Sequence, residues 1–377
     1  NENNINNNDD DMIINIYNEN CDNKVLIIVT GGTFIMGPTK NGLEVQPGYL
    51  QKRMKQDLDF QHSSLPKWEI IEWKNPIDSS CMNTKHWIKL ANDIKSNYDK
   101  YSGFIVLHGT DTMAYTASAL SFMLENLAKP VVITGAQIPI GEVFNDAKNN
   151  LIASLCVAGQ IEICEVCLMF NNKLFRGNRA TKVDAWHQNA FASPNFPALG
   201  IFGIDLEMEE KLFWPAPKKR FKIHTKLYDN IITIWLYPGF NSDLIKPLFA
   251  NNIKDIAIVL SWIGAGIGTQ SNKLFKLLYT IQQNININIE IILMQQTQKG
   301  HVTDLKLTKN EHFLKLKNVI NAQDMTTESV VTKCAYLMGK GFRGKQLKIN
   351  FEKSIRGEIT QIGSNNKIIK IKSNVSL

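Results

Sequence analysis

Short apolar runs alternate with amphipathic stretches along most of this chain. Val25 to Val29, Phe104 to Leu107, Val131 to Ile133 and Val166 to Phe170 are continuous apolar runs. Each is too short for a helix and suits a buried strand. Between them, Trp87, Leu90, Ala91, Ile94 and Tyr98 recur at helical spacing, as do Met113, Ala117, Leu120, Leu124 and Leu127. The second set predicts a helix with one buried stripe. Asn149 to Ala158 reads as a further helix. Ile204 to Lys226 is charged and contains Trp214-Pro215-Ala216-Pro217-Lys218-Lys219-Arg220. That composition predicts an interdomain linker at 206–227. Beyond it, apolar runs at Ile231 to Leu236, Ile256 to Leu260 and Glu290 to Met294 alternate with helical stretches near Asp243 to Ala250 and Asn272 to Gln282. Such alternation implies parallel strands joined by crossover helices. Two helical stretches, Met325 to Met338 and Gly344 to Phe351, follow. The expectation is an α/β protein: a tail at 1–23, a larger domain at 24–205, the linker, and a smaller domain at 228–377.

Composition changes this picture only at the margins. With 377 residues and 44% hydrophobic content, two domains can each bury a core. The first 23 residues are rich in Asn and Asp, and are expected to stay disordered. The formal charge of +7 is spread out. The mild cluster from Lys340 to Lys353 lacks interleaved aromatics, which argues for a solvated face and against nucleic acid. No apolar run approaches the roughly 20 residues of a membrane span, and the polar start shows no signal-peptide pattern. Of six cysteines, Cys164 and Cys167 form one C-x-x-C. They open a predicted strand and would point to opposite faces, so neither a disulfide framework nor a metal site is expected.

Candidate chemistry gathers at strand ends. Val25 to Val29 runs into Thr30-Gly31-Gly32-Thr33, Phe104 to Leu107 into His108-Gly109-Thr110-Asp111, and Val131 to Ile133 into Thr134-Gly135-Ala136-Gln137. Open α/β sheets bind ligands at the carboxyl ends of their strands. The three ends therefore predict one pocket assembled from distant sequence. An isolated Asp111 or Thr112 at a helix start would more simply be a cap. Phe34 to Gly48 holds several Gly and Pro and no helical period, so it reads as a mobile loop over the pocket. Other motifs fail. Gly264-Ala265-Gly266-Ile267-Gly268-Thr269 lacks the third glycine of a dinucleotide fingerprint, and there is neither a Walker A loop nor a G-x-S-x-G elbow. His108 reads as a residue satisfying nearby backbone groups.

These segments together resemble the bacterial-type, threonine-dependent L-asparaginases, within them the cytoplasmic type I group. The resemblance rests on T-G-G-T at Thr30, H-G-T-D-T-M-A-Y-T-A-S-A-L-S-F at His108, G-A-Q-I-P at Gly135, F-R-G-N-R-A-T-K ending at Lys182 and A-F-A-S-P-N from Ala190. It runs from about Val25 to the C-terminus. It implies a mixed, mainly parallel sheet flanked by helices in the larger domain and a flavodoxin-like parallel α/β fold in the smaller. It implies Thr33 as nucleophile, with Thr110, Asp111 and Lys182 as a second catalytic set in which the lysine pairs with the aspartate and polarises the threonine. Ser79 would hold the substrate carboxylate, with Asp78, Ser80 and Gly109 beside it. Asp111 would take part of the amino-acid head group, and the Ala136 carbonyl would contact the leaving amide. The substrate would be L-asparagine, with L-glutamine weak or unused. No metal or organic cofactor, nucleic acid or membrane is implied. A cytoplasmic homo-oligomer, dimer or tetramer, is implied, the small domain of one subunit closing the site of another.

Two alternatives keep the motifs and change the role: an ammonia-releasing subunit of a tRNA-dependent amidotransferase, and a non-catalytic binding protein. The first normally carries a folded N-terminal module where this chain has its Asn-rich tail. The intact Thr33, Thr110, Asp111 and Lys182 argue against the second. Two positions and one stretch depart from the family. Cys81 replaces an aspartate after Ser80, and Ser261 to Ile267 replaces a Tyr-Gly-x-Gly-Asn run. Leu43 stands where relatives place the tyrosine that activates the first threonine. A leucine has no hydroxyl to relay a proton. Thr33 is therefore expected to be activated by a water, by a group from the second domain or a neighbouring subunit, or by Thr110 and Lys182. Substitution by Tyr49, at a helix-like start, is the alternative.

Overall fold

The computed structural model describes residues 12–15, 23–40, 42–249, 255–264, 272–283, 287–302 and 310–360. Its first half runs β1 (Met12–Asn15), β2 (Lys24–Val29), β3 (Met36–Thr39), β4 (Gly42–Val45), α1 (Tyr49–Gln56), β5 (Lys67–Glu72), α2 (Thr84–Asn97), β6 (Gly103–Leu107), α3 (Met113–Met123) and β7 (Leu124–Glu125). It continues through β8 (Val131–Thr134), α4 (Ala147–Gln160), β9 (Val166–Phe170), β10 (Lys173–Arg176), β11 (Thr181–Lys182), β12 (Phe191–Ala192), β13 (Gly200–Phe202), β14 (Leu206–Met208) and β15 (Lys222–Ile223). Nine of these strands form one sheet in the order β1-β5-β2-β6-β8-β9-β10-β13-β14. Its centre, β5 to β9, is parallel, and both edges are antiparallel.

β2, β6, β8 and β9 are almost wholly apolar because both of their faces are covered, as parallel sheets require, while β5 carries the buried Glu69 and Glu72. Val25, Ile27 and Val29 of β2 enter one core, with α4 and Phe34; Leu26 and Ile28 enter the other, with α2 and α3. The alternation of side chains along a strand splits the run between the two layers.

The second domain adds β16 (Ile231–Trp235), β17 (Asp255–Trp262), α5 (Asn272–Gln282), β18 (Asn288–Gln295), α6 (Glu311–Leu314), β19 (Ile320–Asn321), α7 (Thr327–Gly339) and α8 (Gly344–Phe351). Its four strands are parallel and lie in sequence order. The stretch expected as a helix near Asp243 is a 3-10 helix, Ser242–Phe249, with Pro247 inside it. Most of the Gly264 to Thr269 motif lies outside the described residues.

Several expectations change. The helix expected to reach Leu127 stops at Met123. Leu124–Glu125 pairs instead with Lys222–Ile223, and Asn126 takes the left-handed region at φ 58°. Nor is α3 a one-stripe helix. Thr116, Ser118 and Ser121 are buried with its apolar residues, because α7 covers the side that solvent would occupy. Phe122 even belongs to the second domain's core. The expected mobile loop is a 3-10 turn, Thr33–Ile35, and a hairpin that pairs Met36 with Val45. The tail contributes β1, an apolar Met-Ile-Ile run hidden among Asn and Asp, at the sheet edge. The linker range begins inside the sheet, since Leu206–Met208 is its last strand.

Candidate active site

The ends of β2, β6 and β8 are tied to one another by backbone bonds. Thr30 N–H donates to Leu107 O at 3.0 Å, and His108 N–H donates to Thr134 O at 2.9 Å. Gly32, at φ 89°, lets the first turn come against the second: a Cβ there would lie 2.6 Å from the Gly109 Cα. Only glycine tolerates both that backbone and that approach. Thr33 follows and opens the 3-10 turn. Its hydroxyl makes no hydrogen bond among the described residues.

Ser79 arrives from the segment after β5. Ile77 N–H donates to Thr30 O at 2.8 Å, and the Thr112 hydroxyl donates to Ser79 O at 2.7 Å. Ser79 is buried, whereas Asp78 and Ser80 are exposed. The Asp78 carboxylate accepts from both the N–H and the hydroxyl of Ser80, each at 2.8 Å. Those bonds, the backbone one first, hold its pKa below the ordinary value. Asp78 and Ser80 thus shape the turn that presents Ser79.

Lys182 reaches the pocket on β11, which pairs with Phe191 and Ala192. Its Nζ donates to Thr110 Oγ1 at 2.8 Å and to Asp111 Oδ1 at 2.8 Å. The Thr110 hydroxyl in turn donates to Gln137 Oε1 at 3.1 Å. Asp111 is 65% exposed, so as an ion pair this contact is worth at most about 1 kcal/mol of stability. Stability does not account for it; an ammonium aimed at a hydroxyl is an arrangement for polarising that hydroxyl.

Gln137 carries no role from the sequence, although it stands in the quoted G-A-Q-I-P. Its backbone is fixed by Asp146, which accepts from Gln137 N at 3.0 Å and Ile138 N at 3.0 Å. Ala136, just before it, is buried. The side chain of Asn150 secures the same turn by donating to Gly135 O at 3.0 Å.

His108 is fully buried, and burial pushes its pKa down to about 4. Nδ1 lies 2.6 Å from Gly109 O, an acceptor, so that nitrogen carries the proton. Nε2 then accepts from Thr116, whose oxygen also receives the Trp87 indole N–H at 2.9 Å. Both ring nitrogens are engaged, and the residue is structural. Among the described residues no cluster of His, Cys, Asp and Glu could hold a metal ion. Cys167 is fully buried, and burial raises its thiol pKa well above the usual value. Nor is any helix among the described residues long and apolar enough to cross a membrane.

Neither Leu43 nor Tyr49 makes a side-chain hydrogen bond to Thr33 among the described residues. Leu43 is 46% exposed on β4, opposite Pro38. The Tyr49 ring lies over Gly37 and its hydroxyl against Gly141, with no hydrogen bond from that hydroxyl among the described residues.

Comparison with known proteins finds relatives over both domains. Residues 24–214 match the model of the asparaginase N-terminal domain, and residues 230–351 that of the glutaminase/asparaginase C-terminal domain. L-asparaginase 1 of Escherichia coli K12 is 37% identical over 336 residues, which cover 89% of this chain and 98% of that protein. The crystal structure of L-asparaginase I from Vibrio cholerae superposes with a TM-score of 0.81 at 35% identity, covering 90% of this chain and 99% of that one. A component of the glutamyl-tRNA(Gln) amidotransferase of Pyrococcus abyssi is more distant, at 29% identity over 89% of this chain and 77% of its own length. The chain belongs to the asparaginase family.

Proposed function

We infer that the protein is an L-asparaginase, converting L-asparagine and water to L-aspartate and ammonia. The observation that carries the reading is the Lys182 ammonium on Thr110 and Asp111, groups more than 70 positions away in sequence. In this reading the Thr33 oxygen attacks the side-chain amide carbon. A C–O bond forms, the C–N bond breaks, and ammonia leaves with the threonine proton. Water then cleaves the ester and returns the proton to Thr33. Thr110, held by Lys182 and bonded to Gln137, is placed to orient that water for attack on the ester. Backbone N–H groups at the strand ends face the developing oxyanion. Buried Ser79 supplies a donor for the substrate carboxylate, and exposed Asp111 an acceptor for its ammonium. Ala136 lies beside the leaving amide, with Gly109 at the floor.

The working unit is a cytoplasmic homo-oligomer that needs no metal. Phe144, Trp186, Trp235 and Tyr237 are each more than half exposed, which supports burial against another copy. Rapid-quench peptide mapping during turnover tests the chemistry. The expected result is an aspartyl ester on the peptide carrying Thr33. An ester on the Thr110 peptide, or none under conditions of turnover, would overturn the assignment of the nucleophile.

A further inference from the structure

Several residues of the F-R-G-N-R-A-T-K segment are bonded to the second domain. Arg176, Asn178 and Arg179 are all buried, and each donates to a backbone carbonyl there. Arg176 is held by Glu165 through Nε at 2.5 Å and also meets Gly357 O at 3.4 Å. Asn178 Nδ2 donates to Arg356 O at 2.9 Å. Arg179 donates to Glu358 O, to Asp324 Oδ2 at 2.7 Å, to Asn195 O at 2.8 Å and to Thr360 Oγ1 at 2.8 Å. Three successive carbonyls, from Arg356 to Glu358, therefore receive three side chains of one turn. Three residues after that turn the chain carries Lys182.

The receiving segment has its own foundation. Glu358 and Lys333 form an ion pair in which both side chains are fully buried. The same carboxylate accepts from Arg356 N at 2.7 Å and Ile355 N at 3.0 Å. Lys333 also donates to Phe351 O at 2.6 Å and Lys353 O at 2.8 Å. Every donor and acceptor of the pair is thus spent on folding residues 351–358. Gly357, at φ 78°, lets the Arg176 guanidinium come in: a Cβ there would lie 2.4 Å from Nη1. Desolvating two charges for one turn is expensive, and removing one partner leaves the other buried and unpaired. Chain closure alone does not need that outlay, since α7 already rests on α3 through apolar contacts.

We propose that residues 354–360 are a positioning clamp for the catalytic lysine. Arg179 and Asn178 are positioning residues: through the second domain they fix the turn 177–179, and so the register of β11 that brings Lys182 to Thr110 and Asp111. The proposal rests on the asparaginase reading for the role of Lys182, but not for the clamp itself.

The test uses the full chain with Asn178→Ala, Arg179→Lys and Thr360→Val. Amide hydrogen exchange is followed in the peptide 180–192, together with kcat and KM for asparagine. The expected result is at least tenfold faster exchange at 180–192, with exchange in β16–β17 unchanged. With it, kcat falls at least tenfold while KM stays within threefold, graded as Asn178→Ala milder than Arg179→Lys. Folded variants with wild-type exchange at 180–192 and wild-type kcat would overturn the clamp, even if they melt earlier. Should Arg179→Lys not fold, Asn178→Ala and Thr360→Val, each losing fewer contacts, decide. If the wild type releases no ammonia, the asparaginase reading fails, and the exchange measurement alone judges the clamp.

Discussion

At the scale of single residues, the pocket separates groups that do chemistry from groups that hold them. His108 shows the second kind. It stands directly before Gly109-Thr110-Asp111, and in the sequence it already reads as a residue that satisfies nearby backbone groups. Burial and two hydrogen bonds make it a neutral brace. Because its folded pKa is depressed from 6.5 to about 4, the unfolded chain binds more protons between those values. Its contribution to stability is therefore complete above about pH 6.5 and is lost as pH falls toward 4. The shift corresponds to roughly 3 kcal/mol. His108→Gln should flatten the decline in denaturation free energy between pH 6.5 and 4.5. A wild-type slope in that folded variant would show that His108 is not the group responsible. Thr33, Thr110 and Asp111 are legible as polar groups at the ends of apolar strands, whereas Lys182 is singled out only through the resemblance carried by F-R-G-N-R-A-T-K. Gln137 is not, since an amide side chain after a strand carries no signal until its partner's position is known.

At the scale of elements, periodicity locates strands well and misjudges whatever depends on a partner. β2, β6, β8 and β9 read correctly because burial on both faces makes them almost wholly apolar, whereas β5, with Glu69 and Glu72 inside it, carries no such run and is missed. The α3 stripe misleads because α7, some 200 positions away, covers its polar side; Ser118 and Thr116 are inside for that reason. The β3–β4 hairpin escapes detection because Met36-Gly37-Pro38-Thr39 has no alternation to read. That hairpin decides where Leu43 and Tyr49 go. Leu43 is exposed, and the Tyr49 hydroxyl lies against Gly141 and makes no hydrogen bond to Thr33 among the described residues. Tyr49→Phe should keep kcat within about threefold, as removal of a group with no transition-state contact does. A thousandfold loss with the fold intact would make Tyr49 the proton relay and require the hairpin to close differently during turnover.

At the scale of the whole molecule, the two domains are joined by buried polar contacts as well as by apolar packing. Arg179 with Asp324, Tyr336 with Glu125 at 2.6 Å, and Thr181 with Glu328 at 2.7 Å all cross the junction. Burial pushes the Asp324 carboxyl up, but the Arg179 guanidinium outweighs it and holds it below its usual value. Such contacts tolerate little sliding, because a separated partner would be left buried and unpaired. The exposed aromatics lie elsewhere, on Phe144 and Trp186 in the first domain and Trp235 and Tyr237 in the second. Light scattering should show a dimer or tetramer, and charged substitutions at Trp235 and Tyr237 should lower both mass and activity. A fully active monomer at assay concentration would contradict the assembly.

Ammonia release by the purified chain, with no partner protein and after dialysis against a strong chelator, bears most directly on the function. Wild type should release one ammonia and one aspartate per L-asparagine consumed. Lys182→Met should lose at least a hundredfold in kcat with its melting temperature nearly unchanged, since an exposed pair adds little stability. No ammonia from wild type, release only after a metal is restored, or near-normal turnover in Lys182→Met would contradict the account.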